Sequence, residues 1–560
     1  MKIITLHCDY IKFKPLKKAL KSAEEVDNNE KKVSECLVVL TAVEKGDTEK
    51  TTDLYIKEIK DIASQVKAKN IVLYPYAHLS SNLSNPDLAV SIMKDAEKKL
   101  GKEFSVERAP FGYYKEFELK CKGHPLSELS RTITSEGKVK EKYDVKQLLR
   151  ELSKAKLDTS KLKENDHRIL GQKLDLFSFH DSAPGAVFLH DKGLIIYNEL
   201  IKYWREMHRK SQYREISTPF ILDKKLWQIS GHWEKYHENI FLTEYEKRQF
   251  AVKPMNCPGG ILVFKSNPKS YRDFPLRVAE LGVVHRQELS GTLAGLFRVI
   301  KITQDDAHIY CTNESQVESE IGKIIDLTLE IYKKFKLKVD HIELSTRPEK
   351  RIGSDAIWDL AEKTLEKVLK KKKIPFKVNK GDGAFYGPKI DYHIKDSLER
   401  NWQLGTIQLD FAIPERFDLN YTGEDNKEHR PIMIHRTIYG SLERFIGILL
   451  EHTNGNLPAW LAPIQVRVLS FTSRNEKYTR QVAGKLLEAG IRVDLDVEDK
   501  TVSSKVREAE IQKIPYIIVA GDKEQKSKKI ALRSHGSKKI STLSIDNFIK
   551  DISLEIKERK

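Results

Sequence analysis

Hydrophobic positions change period along the chain, and each change marks a candidate domain. Near the start, KIITLH, CLVVLTAV and NIVLYPY are strand-like apolar runs, and a helical pattern over residues 53–67 separates the last two. A second helix over 85–100 and strands at FSVERAP and YKEFELKC complete a compact α/β unit, residues 1–142. Residues 143–170 are charged and helix-prone, without strand or turn signals, and read as a helical linker. From 171 to 461 a turn-rich opening leads into the long amphipathic stretch LIIYNELIKYWREMH. After it come REISTPFIL, a strand interrupted by Pro219, and several short strands with Gly/Pro turns. With the closing helix SLERFIGILLEH, this predicts a helix-flanked antiparallel sheet and not a βαβ array. Over 462–560, IQVRVLSF, IRVDLDV, YIIVAG and KIALRS alternate with helices over 476–489 and 503–512, a small α/β domain with a mostly parallel sheet. The expected fold class is multidomain, α+β in the middle and α/β at both ends.

Composition narrows the setting. A chain of 560 residues is too long for one hydrophobic core. No run approaches the roughly 18 apolar residues of a membrane span. The opening MKIITLHCDY has neither the apolar core nor the small-residue cleavage site of a signal peptide, so a cytoplasmic location is expected. Five scattered cysteines make no disulfide framework, leaving any useful one as a ligand or nucleophile. The net charge of +17 favours a polyanionic partner.

The densest chemistry lies in residues 253–311: KPMNCPGG, VVHRQELSGTLAGLFRV and TQDDAHIYC. A strand ending at Arg286, a Gly-containing loop and a return strand FRVIKITQ carrying Arg298 could clamp two phosphates, because a guanidinium fork binds anionic oxygens bidentately. Arg444 opens the helix of GSLERFIGILLEH, where a third guanidinium could stack on a purine. No GxxxxGK[ST], HxGH or KMSKS is present, so nucleotide chemistry would not rest on a P-loop or a parallel-sheet nucleotide site.

EISTPFIL, HRQE…FRVIKITQDD and YGSLERF resemble motifs 1, 2 and 3 of class II aminoacyl-tRNA synthetases, with Pro219 as the motif 1 proline. KPMNCPG, TQDDAHIYC, GAFYGPKIDY, WQLGTIQLDF and MIHRTIYGSLERF narrow the resemblance to threonyl-tRNA synthetases. YPYAHLSSNL, APFGYYKEF and CKGHPLSELSRT resemble the editing domain of the archaeal type, a relative of D-aminoacyl-tRNA deacylases. The resemblance implies an editing domain, a class II catalytic domain and an anticodon-binding domain. It implies a homodimer that joins L-threonine to tRNA(Thr) using ATP with Mg²⁺, and that hydrolyses mischarged seryl-tRNA(Thr). An RNA-binding relative without catalysis, and a ligase for another small amino acid, are the alternatives.

The same resemblance assigns residues. Cys257, His308 and His435 would hold one Zn²⁺ through three protein ligands, leaving a position for substrate. Threonine's amine and hydroxyl would enter that shell, and valine, lacking the hydroxyl, would be refused. Asp306 would accept the hydroxyl proton, with Met255, Tyr386 and Gln408 also around the threonine. Arg286, Glu288, Arg298, Gln403, Thr406 and Arg444 would bind ATP, with Arg286 stabilising charge at the α-phosphate. Lys389, which the resemblance makes catalytic along with Arg286 and His232, would lie over the threonine, and His232 would accept a proton during transfer. His78, Tyr114, Lys115 and Glu128 would form the editing site; Arg507, Glu524 and Arg533 would read the anticodon. Ile302 stands where motif 2 usually has an aromatic, and Asp499 where bacterial relatives have Asn. Serine can still ligate, and one missing methyl is worth only about 1–3 kcal/mol, which is the reason for a second, hydrolytic sieve.

Overall fold

The computed structural model describes residues 1–133 and 162–560, apart from 21–22, 81 and 397–398, with isolated positions between 134 and 161. Most of the linker expected over 143–170 therefore lies outside the described residues. The chain divides into two compact units, Met1–Val145 and Lys146–Lys560.

The first unit is a six-stranded sheet built around the long strand Lys2–Lys18, which pairs antiparallel with Lys31–Ala42 on one side. On its other side it pairs with Tyr113–Cys121 and Glu128–Thr132, the second of which the apolar pattern does not predict. Helices Glu49–Val66 and Pro86–Leu100 supply Tyr55, Ile59, Ile92 and Met93 to one core with Leu37, Val39, Ile71 and Leu73 of the sheet. The first helix starts before the expected residue 53 because Thr48 and Thr51 form a capping box. Asn85 caps the second, with Pro86 in its first turn.

In the second unit an eight-stranded sheet is antiparallel at its centre. Strands Leu276–His285, Lys301–Cys311, Ile432–Thr437, Asn401–Asp410, Lys389–Lys395 and Val339–Ser345 lie side by side. Their register sets one row of residues across the sheet: His308 faces His435, His435 faces Gln408, and Gln408 faces Lys389. Helices Asp191–Lys210, Glu314–Lys334, Asp355–Lys371 and Leu442–Thr453 contribute to one large apolar core with these strands. Helix His167–Lys173, at the end of the expected linker, contributes Leu170 to that core. The return strand begins at Lys301, so Arg298 sits in the preceding loop and not on the strand as the pattern predicts.

The last domain corrects the expectation of a mostly parallel sheet. Strand Val466–Ser470 pairs parallel with Val493–Asp496 and Tyr516–Ala520, but Lys529–Ser534 and Ile540–Ser544 extend the sheet antiparallel. Ile540–Ser544 has no buried position, which hides it from a hydrophobicity reading. Helix Ile545–Glu558 follows it and closes the core with Phe548 and Ile552.

Candidate active site and editing pocket

One cleft of about 650 Å³ opens on the central sheet, lined by Cys257, Arg286, Asp306, Gln408, His435 and Arg444 among others. Cys257 begins helix Cys257–Lys265, and His308 and His435 are direct cross-strand neighbours, their rings edge-to-face at 4.9 Å. One ligand atom from each of the three lies within 4.8 Å of the others, and all three residues are buried. His435 Nε2 is 2.8 Å from Asp410 Oδ2, and Asp410 accepts the N–H groups of Ala412 and Ile413. That contact fixes the tautomer and leaves Nδ1 with its lone pair. His308 Nε2 is buried with no protein partner, a costly arrangement unless something binds there. Burial holds His308 down to about 4, so its ring is neutral and able to ligate. Burial, then the charges of Asp306 and Asp410, raise the Cys257 thiol. The donor set, the orphaned nitrogen and the supporting carboxylate fit a zinc ion.

The cleft carries three guanidinium groups, of Arg286, Arg298 and Arg444. Arg286 Nε donates to the Pro254 carbonyl at 3.1 Å, and its Nη2 to Met255 Sδ at 3.4 Å. Arg444 is oriented by its Nε to the Phe297 carbonyl and its Nη1 to the Gln403 carbonyl, both at 2.9 Å. Ser441 caps the helix that carries it. The preceding turn needs Gly440 at φ +74°, where a Cβ would also meet the Leu404 carbonyl, and it is pinned by buried Asp305, which accepts three consecutive N–H groups, Ile438 to Gly440. Burial, then the charges of Arg298 and Arg286, push Arg444 below its ordinary value. A polyanion would relieve that strain. Arg298 is half exposed and paired with Glu288 at 2.8 Å. Ile302 lines the cleft as expected, and Phe297 and Trp402 add aromatic surface, with Arg444 5.7 Å over Trp402.

Elsewhere in the cleft, Asn256 Nδ2 donates to Asp306 at 3.2 Å, an approach allowed because Gly282 has no Cβ. Tyr386 donates to Gln408 at 2.5 Å and its ring lies 5.0 Å from that of His435. Buried Asp391 is a hub that the motifs did not single out. It accepts Gln403 Nε2 at 2.5 Å, Thr406 Oγ1 at 2.8 Å, Ser345 Oγ at 2.8 Å and Lys389 Nζ at 2.6 Å. Lys389 also meets Asp382 at 2.9 Å and is not among the residues lining the cleft, which departs from a position over the threonine. His232 is fully buried beside Ser230 Oγ at 2.8 Å, and burial, then His435, hold it down to about 3. An imidazole so weakly basic is a poor proton acceptor, and it too lies outside the cleft lining.

The first unit has its own pocket of about 540 Å³, with Tyr74, His78, Met93, Tyr114, Lys115 and Phe117 in its walls. Lys115 donates to the carbonyls of Pro110 and Tyr113 at 2.9 and 3.2 Å and lies 5.1 Å over the Tyr74 ring. Burial lowers its amine to about 8. Glu128 is not with the other three. It faces Leu6 on the strand where Lys115 faces Pro15, a separation of roughly 30 Å at about 3.3 Å per residue. In the last domain Arg533 is paired with Glu510, Glu524 accepts the Gly521 N–H at 3.1 Å, and Arg507 and Asp499 are exposed.

Comparisons with known proteins cover the chain in three segments. Residues 1–133 match the archaea-specific editing domain of threonyl-tRNA synthetase, 241–453 the class II tRNA synthetase core domain (G, H, P, S and T), and 465–554 an anticodon binding domain. A curated threonine--tRNA ligase of Carboxydothermus hydrogenoformans is 51% identical over 71% of this chain, which spans 62% of that protein's length. For the enzyme of Caldanaerobacter subterraneus subsp. tengcongensis the identity is 54%, over 70% of this chain and 61% of that protein. The chain thus spans a little under two thirds of these curated relatives. A Giardia lamblia prolyl-tRNA synthetase with prolyl-adenylate, 18% identical at a TM-score of 0.56, covers 70% of this chain and 78% of its own and shows the fold alone. The structure of the RNA binding domain of threonyl-tRNA synthetase from Cryptosporidium parvum Iowa II is 41% identical at a TM-score of 0.68, covering 70% of this chain and 98% of its own. With that coverage, and with the archaea-specific editing domain at its start, the chain belongs to the threonyl-tRNA synthetases.

Proposed function

We propose that this chain is a threonine–tRNA ligase that activates L-threonine with ATP, transfers it to tRNA(Thr), and clears mischarged seryl-tRNA(Thr) in its first unit. The observation that carries the reading is the meeting of Cys257, His308 and His435 with Arg286 and Arg444 around one cleft. A zinc ion held by the three ligands would, when bound, offer coordination to an amine and a hydroxyl. Asp306, steadied by Asn256, would accept the hydroxyl proton, a role for which valine has no counterpart. Arg286 would neutralise charge developing at the α-phosphate, and Arg298 would leave Glu288 to meet the γ-phosphate. Arg444 would stack on the adenine, with Gln403 and Thr406 held ready by Asp391. Mg²⁺ would arrive with the nucleotide. These groups mostly bind and orient, so the rate gain would come from positioning and electrostatics.

Residues 1–142, 171–461 and 462–560 would serve as editing, catalytic and anticodon-binding domains. In the first, Lys115, His78 and Tyr114 would hold the seryl ester; in the last, Arg507, Glu524 and Arg533 would read anticodon bases. Among the described residues no helix is long and apolar enough to cross a membrane, in keeping with an enzyme of the cytoplasm. Next to Pro219, Phe220 and Ile221 are each 55% exposed, an apolar edge suited to a homodimer contact. Threonine-dependent ATP–pyrophosphate exchange tests the ligase reading: exchange with threonine is expected, and its absence in folded, zinc-loaded protein would overturn it. Light scattering tests the dimer, and a monomer carrying native Phe220 and Ile221 would contradict it.

A further inference from the structure

A second set of metal-ligand groups lies on the sheet, apart from the ligands assigned above. His341 and Glu343 project from one face of strand Val339–Ser345, two residues apart, and His393 of strand Lys389–Lys395 faces His341 in register. The two imidazole rings stack almost parallel, 4.5 Å apart at 5°. His341 Nε2 is 3.1 Å from one Glu343 oxygen and His393 Nε2 is 3.5 Å from the other. One ligand atom from each of the three residues lies within 4.8 Å of the others, and the side chains are only 16–19% exposed.

The surroundings are arranged as they are around bound metals. Asp340 Oδ2 is 2.6 Å from His341 Nδ1 and accepts its N–H, an arrangement that leaves the Nε2 lone pair directed at Glu343. Asn379, from the neighbouring strand Lys377–Asn379, donates to Glu343 Oε2 at 2.9 Å and fixes the carboxylate. Lys395 lies 3.5 Å from Asp340. A lone pair facing a carboxylate oxygen at hydrogen-bond distance requires a positive charge between them. A proton on His341 meets that need for one ring; a metal ion meets it for both rings and the carboxylate together.

We propose that His341, Glu343 and His393 form a second divalent-metal site of the two-histidine, one-carboxylate kind, suited to Zn²⁺ and to its substitute Co²⁺. The site would pin strand Val339–Ser345 to strand Lys389–Lys395 beside Asp391, which faces Glu343 in register. It is independent of the ligase reading, because none of its ligands touches the cleft.

The test is a Co²⁺ titration of the full chain after removal of metal by a chelator. Two equivalents are expected. The one at Cys257 should bring thiolate charge-transfer absorption, and the other only the weaker visible bands of a nitrogen–oxygen site. His341→Ala/His393→Ala should remove the second equivalent and keep the thiolate band and threonine-dependent exchange. Asp340→Asn, which spares every ligand, should weaken the second equivalent by roughly 10–100-fold, the usual effect of losing such a supporting contact. Saturation of the native chain at one thiolate-bearing equivalent, retention of the second by the double variant, or native affinity in Asp340→Asn would each overturn the proposal. Visible bands without thiolate absorption would uphold it and remove the Cys257 site instead.

Discussion

The cleft on the central sheet and the pocket of the first unit are similar in volume and opposite in chemistry. In the cleft, buried aspartates stand behind the working groups: Asp391 behind Gln403, Thr406 and Lys389, Asp410 behind His435, Asp305 behind the turn that aims Arg444. Of its three arginines only Arg298 has a carboxylate partner, Glu288, and Arg444 is pushed below its ordinary value by burial and then by the charges of Arg298 and Arg286. In the first unit the walls are largely aromatic and aliphatic, and Lys115 is held by two carbonyls; among the described residues no carboxylate offsets its burial. The difference follows from the tasks proposed. A site for a nucleotide polyanion and a ligating amino acid gains from a rigid, precharged frame. A site that hydrolyses a neutral ester gains from one cation in a dry pocket, where its field is strong and its proton is loosely held.

Substitutions should separate the two. Arg286→Ala or Arg444→Ala should lower threonine-dependent ATP–pyrophosphate exchange by about 10²–10³-fold, the scale of losing one preorganised donor to developing charge. Hydrolysis of preformed seryl-tRNA should be unchanged; a parallel fall would mean that the sites are not separate. The pH dependence of that hydrolysis should distinguish them next. Lys115 is depressed to about 8, so it is an ammonium below pH 8 and loses its charge above it. The cost that its burial imposes on the fold is therefore present in full below pH 8 and fades as pH rises toward the ordinary lysine value near 10.4. The rate advantage of the native chain over Lys115→Ala should shrink above pH 8, while Lys115→Arg should keep its advantage. An advantage constant from pH 7 to 9.5 would remove the amine from the reaction. The smallest effect is expected from Asp391→Asn, which weakens rather than deletes the frame. With hydrogen bonds worth about 1 kcal/mol each, the KM for ATP should rise roughly tenfold with little change in kcat. An unchanged KM would leave Asp391 as a fold residue only.

What the sequence conveyed about these sites depended on how local the information was. Arg444 was legible because Ser441 and the apolar period of the following helix place it in the first helical turn. The proposed zinc ligands were legible only through the family strings, since sheet register brings His308 to His435 while Cys257 joins them from a helix start, a convergence that no spacing reveals. Asp391 and Asp410 escaped notice for the same reason: a lone acid within an apolar strand does not reveal which groups it faces. Glu128 shows the reverse case. Its string matched, but register carries it far along the sheet from Lys115. The last strand of the last domain, Ile540–Ser544, was missed because it buries none of its side chains, leaving no apolar run to mark it.

The central claim is a division of labour, with valine excluded by the first site and serine removed by the second. Charging of tRNA(Thr) with threonine, valine and serine by the native chain and by Lys115→Ala tests it most directly. The account predicts threonyl-tRNA from both proteins, valyl-tRNA from neither, and seryl-tRNA accumulating with Lys115→Ala alone. Failure of Lys115→Ala to accumulate seryl-tRNA, with its threonine charging intact, would contradict it.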